Sequence, residues 1–252
     1  MRASCTVAAA ACALFLAPAL WADAPGAPEW VEIDAASMCG MLARDLAEQE
    51  IRDIVTVTAS TAVEKKTDTF EVFLSPPDAE TGARRLDLVL GPLRAQGAEG
   101  HVRVTHARHA DTVYEVDIAE DATLLGTLGE ALPPIPMPQV WMALAEDPRV
   151  CPPLGPYLGA VTWERGELAV EANPPRLRLF GAAAETGAAV ELHATVEPAA
   201  RIERIVIRDE AASSTIDIRI EPLGPDVEPP PAVPVDGRRR VESLEALVGE
   251  TP

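Results

Sequence analysis

The stretch Val113-Tyr114-Glu115-Val116-Asp117-Ile118 sets Tyr114, Val116 and Ile118 in alternation with Glu115 and Asp117. Successive side chains of a strand point to opposite faces, so this alternation predicts a strand with one apolar and one wetted side. Before it, strand segments are expected at Ile54–Val63, Thr69–Ser75, Arg85–Leu90 and His101–His106. Pro76-Pro77, the Gly91-Pro92 corner and the span from Gly97 to Gly100 separate them. Beyond it the pattern resumes near Tyr157. Val161 and Trp163, Leu168 and Val170, Leu177 and Leu179, Val190 and Leu192, and Ile205 and Ile207 are the inward candidates. Ile216, Ile218 and Ile220, alternating with Asp217 and Arg219, complete the set. Gly166, Pro174-Pro175, Gly187 and Pro198 punctuate them. Such a run is an antiparallel sheet with a single greasy side, which helices, a second sheet or a ligand must cover.

Three segments carry the helical period instead. Asp34 is placed to cap a helix running to about Glu50, with Met38, Met41, Leu42 and Leu46 on one stripe and Cys39 beside it. Leu124, Leu125, Leu128 and Leu132 share a face of a second helix, for which Asp121 is the expected cap. Pro133, Pro134, Pro136 and Pro138 follow, and Pro138 suits the first position of a third helix bearing Val140, Trp141 and Leu144.

The ends read differently. Arg2, the apolar run Val7–Leu20 and the small-x-small site Ala22-Asp23-Ala24 predict a signal peptide over residues 1–24. The apolar run continues past Cys12, whereas a lipidated cysteine would close it. Soluble export, naturally to a bacterial periplasm, is the expectation, with no transmembrane span in the mature chain. From Pro222 onward Pro225, Pro229, Pro230, Pro231 and Pro234 exclude a central strand and predict an extended tether. Residues 237–252 hold Arg238-Arg239-Arg240 and a short amphipathic piece with Val241, Leu244 and Leu247. They read either as a frayed or loosely docked tail or as a docking peptide for a periplasmic protein partner.

Composition narrows the function classes. A net charge of −19 over 252 residues repels phosphate backbones and anionic headgroups, so nucleic-acid binding is not expected. Of the four cysteines, Cys5 and Cys12 leave with the signal. Cys39 and Cys151 remain, and an exported chain favours joining them in one disulfide over keeping two buried thiols. Neither has the CxxC spacing or basic setting of a redox thiol.

The order of elements is helix, about five strands, a helix pair around a proline cluster, then about six strands. With the signal peptide and the segment Leu124-Leu125-Gly126-Thr127-Leu128 through Leu132-Pro133-Pro134-Ile135-Pro136-Met137-Pro138, it resembles the periplasmic outer-membrane lipoprotein carriers (LolA-like), closest to their relatives of unassigned function. The resemblance covers roughly residues 35–223. It implies an α+β fold, a curved, unclosed antiparallel β-barrel of about 11 strands with helices over its concave face. The domain layout is then a signal peptide at 1–24, a half-barrel at 25–223, and the tether and tail at 224–252. In the carriers the cavity holds lipoprotein acyl chains. The implied function here is non-enzymatic binding of an apolar, acyl or lipid-like ligand, in lipid or lipoprotein trafficking. The alternative is a half-barrel packed shut that serves as an interaction module engaged through its tail.

The cavity lining is expected to come from Leu124, Leu128, Met137 and Trp141 on the helical side and from Tyr114 and Val116 on the sheet. Trp141 and Met142 could form a movable lid, but residues of this kind read first as plain core, and they are where ligand contact is sought. No GxSxG, HExxH, P-loop or GxGxxG occurs. On an extended strand His101 and His109 would share a face and His106 would point the other way, so His101, His106 and His109 with Asp111 are not expected to form a metal site. No catalytic residue or cofactor is expected either, and an enzyme stands only as a third reading, to be revived through His101, His106 and Asp111. The acidic pair Glu120-Asp121 reads as a helix start and Glu146-Asp147 as a solvated helix end.

Overall fold

The chain's structure, a computed structural model, describes residues 28–98, 100–119, 122–132, 135–147, 151–155, 159–224, 226–236 and 238–242. The expected signal peptide, Asp121, Pro133, Pro134, Tyr157 and the tail beyond 242 lie outside the described residues.

The first half contributes β1 (Val31–Ile33), α1 (Ala35–Ala47), β2 (Ile51–Ser60), β3 (Lys65–Leu74), β4 (Leu86–Leu90), β5 (Leu93–Ala98), β6 (His101–His106) and β7 (Thr112–Asp117). Then come α2 (Leu124–Ala131), α3 (Pro138–Ala143), β8 (Val161–Ala169), β9 (Arg176–Ala183), β10 (Ala189–Thr195), β11 (Arg201–Asp209), β12 (Ser214–Pro222) and β13 (Arg239–Val241). All thirteen strands make one curved sheet, ordered β1-β8-β9-β10-β11-β12-β2-β3-β4-β5-β6-β7-β13. Every pairing but β13 with β7 is antiparallel, and the sheet does not close into a barrel.

This order decides where the helices go. β2–β7 and β8–β12 are two meanders that meet where β12 pairs with β2. β7 and β8 therefore lie at opposite ends of the sheet, and the connection between them must cross a face. It crosses the inner, apolar one and lays α2 and α3 there. The link from β1 to β2 likewise runs from the edge to the middle, and α1 packs against α3, β8 and β9. Beneath the helices, Leu42, Leu46, Leu74, Leu86, Leu88, Met142, Leu177, Leu179, Leu192 and Ile205 form a continuous buried core.

Local chemistry fixes the helix ends. Ser37 donates its backbone N–H to Asp34 Oδ2 at 2.9 Å, the cap the sequence predicts. α2 is capped instead by Thr123, whose Oγ1 accepts from Gly126 N at 3.0 Å. Pro138 opens α3 as expected. Two helix C-termini converge on Arg84, whose guanidinium donates to the carbonyls of Ala47 (2.9 Å), Ala143 (3.4 Å), Gln49 and Ser75 (2.7 Å). A cation there meets orphan carbonyls and the negative ends of both helix dipoles. Burial pushes the Arg84 pKa down, against the pull of Glu48.

Three differences from the sequence reading have physical causes. β5 takes in Gly97, expected to open a turn; the small residues Ala95 and Gly97 give it a weak alternation. Val161, Trp163 and Leu168 belong to one strand, β8, which continues through Gly166, while Val170 lies past its end, 61% exposed. The two edge strands, β1 and β13, are three residues long, too short for any periodicity to register. Short edges also blunt the unpaired backbone that invites aggregation.

One glycine is required by close approach. β8 bulges between Trp163 and Arg165, opposite Gly181. A Cβ at Gly181 would strike the Thr162 carbonyl and stand 3.0 Å from Trp163 Cα, both backbone atoms that cannot rotate away. Gly181→Ala is expected to cost about 2 kcal/mol, read by urea denaturation. An unchanged midpoint would mean that the bulge is free to shift.

Candidate functional site

The inner face is filled by its own side chains over most of its area. Leu128, Met137 and Tyr114, expected to line a cavity, are instead 2–4% exposed and sit within the packed core. Val116 packs partly buried against the same core. Open space survives at the mouth, between the two lid helices and the chain that follows α3. A recess of about 520 Å³ is lined there by Leu124, Leu125, Trp141, Leu144, Cys151 and Pro152-Pro153, with Thr123, Ala145, Glu146 and Asp147 at its polar side. Of the six residues expected from sequence, it gathers Leu124 and Trp141.

Each wall is held in place. Leu124 at the start of α2 seats on Gly97 of β5; any side chain at 97 would collide with the Leu124 methyls. Trp141 lies over Gly155, whose backbone has φ 113°, and a Cβ there would fall 2.9 Å from the indole Nε1. The third wall is covalent. Cys39, fully buried on α1, is bonded to Cys151 with Cα atoms 5.1 Å apart. Trp163 Nε1 donates to Cys151 Sγ at 2.8 Å, tying the same wall to β8. Trp141 is thus neither loose lid nor fully buried core: part of its ring faces the recess.

Leu144, Leu125 and the Pro152-Pro153 wall were not expected as lining. Leu125 and Leu144 carried the helical stripe, which marks burial without saying which side faces a void. Pro152-Pro153 carried only a helix-ending signal.

The histidines do not converge. His101 meets Asp117 at 2.7 Å across β6 and β7, whereas His106 accepts from Arg108 N in a 3-10 turn at the far end of β6 and faces His109 at 5.9 Å between ring centroids. His101, Glu115 and Asp117 bring ligand atoms within 4.8 Å of one another. Both Glu115 oxygens, however, are already taken, by Arg103 at 2.7 Å and by Arg240. The group is a set of ion pairs whose charge is met internally.

A second recess of about 520 Å³ lies at the far side, bordered by Asp53, Arg201, Glu203, Thr195 and Pro198. Asp53 is 6% exposed, bonded to Arg201 at 2.6 Å and to Gln139 Nε2 of α3 at 3.3 Å. Burial pushes its carboxyl up to about 6, while the charge of Arg201 and the hydrogen bonds from Gln139 and Arg201 pull the other way. Gln139 Oε1 is buried with no partner.

No helix among the described residues is long and apolar enough to cross a membrane. No family model matches the chain, and no curated protein matches it in sequence. Among solved structures, a DUF1329 family protein from Desulfovibrio piger is similar at 7% identity, covering 78% of this chain and 96% of that one with a TM-score of 0.37.

Proposed function

We propose that this is an exported, non-enzymatic protein that binds one apolar, acyl or lipid-like ligand at the mouth of its half-barrel, in lipid or lipoprotein trafficking. The observation that carries the reading is the recess between α2, α3 and the disulfide-pinned Cys151–Pro153 wall, apolar on three sides in a face filled over most of its area by its own side chains. Its volume falls within the roughly 300–1,000 Å³ of small-ligand sites. The resemblance of the helix-to-helix segment to the lipoprotein carriers supports the same place for the ligand.

The rim adds a preference. Glu146 and Asp147 border the recess of a chain with net charge −19, so an anionic headgroup is disfavoured there and a neutral one accepted. Burying about eight methylenes at ~0.8 kcal/mol each corresponds to a Kd on the order of tens of micromolar. Titration with a fluorescent monoacylglycerol should give saturable binding of that order, tighter than the matching fatty acid. Leu144→Asp should weaken it about tenfold or more, because a charge would be desolvated against the acyl chain. Equal signals from wild type and Leu144→Asp, with both melting alike, would remove the recess from the account.

The alternative module engaged through its tail has one observation in its favour: the described part of that tail forms β13 beside β7. It engages this chain's own sheet.

A further inference from the structure

Residues 226–236 and 238–242 cross the outer face of the sheet as a strap, from β12 in the middle to β13 at the far edge. A proline-rich extended chain makes no internal hydrogen bonds, so its carbonyls need donors from water or from a partner. Here arginines supply them. Arg52 donates to Val227 O at 3.3 Å, Arg85 to Pro230 O and Arg94 to Pro231 O.

A buried carboxylate aims two of these arginines. Asp87, 1% exposed, pairs with Arg85 Nε at 2.7 Å and Arg94 at 3.2 Å, and accepts from Gln96 Nε2 at 2.7 Å. The other end of that amide, Gln96 Oε1, accepts from Val233 N at 3.1 Å, and the Val233 side chain is buried. Further on, Arg240 pairs with Glu115, and Arg239 N donates to Asp111 O at 2.8 Å as β13 joins β7 in parallel. The face thus reads a conformation more than a sequence: extended prolyl carbonyls, one apolar side chain, then an arginine.

We propose that this groove is a recognition site for an extended proline-rich segment with a trailing arginine, filled in cis by the strap and in trans by the strap of a second copy of this chain. Charge selects that occupant. Two copies of a chain at −19 repel, and Arg238-Arg239-Arg240 is its one run of three cations. The strap is therefore the part of a neighbour that the Asp111, Glu115 and Asp117 end of the groove attracts. Exchange replaces one set of contacts by the same set between copies, the low-cost route to a dimer.

The test uses full chains. Val233→Asp with Arg240→Glu detaches the strap from its own groove, and a labelled synthetic peptide of residues 226–242 with the wild-type sequence is titrated by fluorescence anisotropy. The variant should bind at least about tenfold tighter than wild type, whose own strap competes at high effective concentration. Adding Arg94→Lys, which keeps a charge beside Asp87 but loses the fork, should reverse the gain. Binding no tighter than that of a scrambled peptide would overturn the site. Should the double variant fail to fold, isotopically heavy and light wild-type copies mixed at high concentration and examined by native mass spectrometry still decide the exchange. Heavy–light dimers are expected, and monomers alone would overturn the trans occupant. Where the double variant does fold, dimers that persist in it would overturn the trans occupant as well.

Discussion

Replacing both bridge cysteines, Cys39→Ala with Cys151→Ala, will lower stability by about 4 kcal/mol, because the bridge closes a very long loop in the unfolded chain. The two positions lie 112 residues apart. That span holds β2–β7, α2 and α3, so without the bridge the unfolded chain regains the freedom of half the protein. The native state loses something different. Cys151 is one wall of the mouth recess and Cys39 is fully buried on α1, so the recess loses its covalent anchor to the core. Acyl-ligand affinity should fall together with stability. Urea denaturation at neutral pH checks the first effect and fluorescent-ligand titration the second. A loss below about 1 kcal/mol would show that the sheet already restrains the unfolded ensemble.

The second large effect is a pH dependence with an unusual sign. The Asp53 carboxyl is raised to about 6 in the folded protein by burial, against the opposing pull of Arg201 and Gln139. Between its unfolded value near 4 and 6, the folded state therefore binds more protons than the unfolded one. Stability falls as pH rises through that window, by about 3 kcal/mol from this group, and is flat above it. Glu191 works elsewhere: the hydrogen bond from His193, aided by Arg208, holds it down at about 2, so its contribution is complete above the ordinary carboxylate range and is lost only toward pH 2. Asp34, Asp78 and Asp217 are also held low by their hydrogen bonds, so their contributions have the same sign as that of Glu191. Asp53→Asn mimics the neutral acid and offers an N–H to the unpartnered Gln139 Oε1 after that amide turns over. The stability difference between Asp53→Asn and wild type should thus shift in the variant's favour by about 3 kcal/mol between pH 4 and pH 7.5. Parallel profiles for the two proteins would sink the assignment.

The sheet was legible because period two is a local property. Tyr114, Val116 and Ile118, and Ile216, Ile218 and Ile220, announce their inward face without any knowledge of neighbours, and the structure places all six in or against the core. Asp34 and Pro138 were legible for the same reason, since a cap and an N1 proline act within one turn. Elements of three residues, such as β1 and β13, carry no period to read. β5 was hidden because Ala95 and Gly97 trade hydrophobicity for the closeness that lets Leu124 sit down on the sheet.

The recess and the strap are facts of topology. That β7 and β8 end up toward opposite ends of the sheet follows from β12 pairing with β2, a contact between residues more than 150 apart, and no window of sequence shows it. The prolines of this segment are plain in the sequence, but its partners Arg52, Arg85, Arg94 and Gln96 look like ordinary outward-facing strand residues until the strap is laid across them. The same holds for Leu128, Met137 and Tyr114. Their types suited a cavity wall, and only packing distinguishes a wall from a filled core.

The most direct measurement is native mass spectrometry of protein purified without detergent from an exporting host, compared with its denatured mass. An added mass that partitions into organic solvent, matches one neutral acyl-bearing molecule and disappears in Leu144→Asp is the predicted result. A bare polypeptide that also takes up no monoacylglycerol would contradict a ligand-holding mouth.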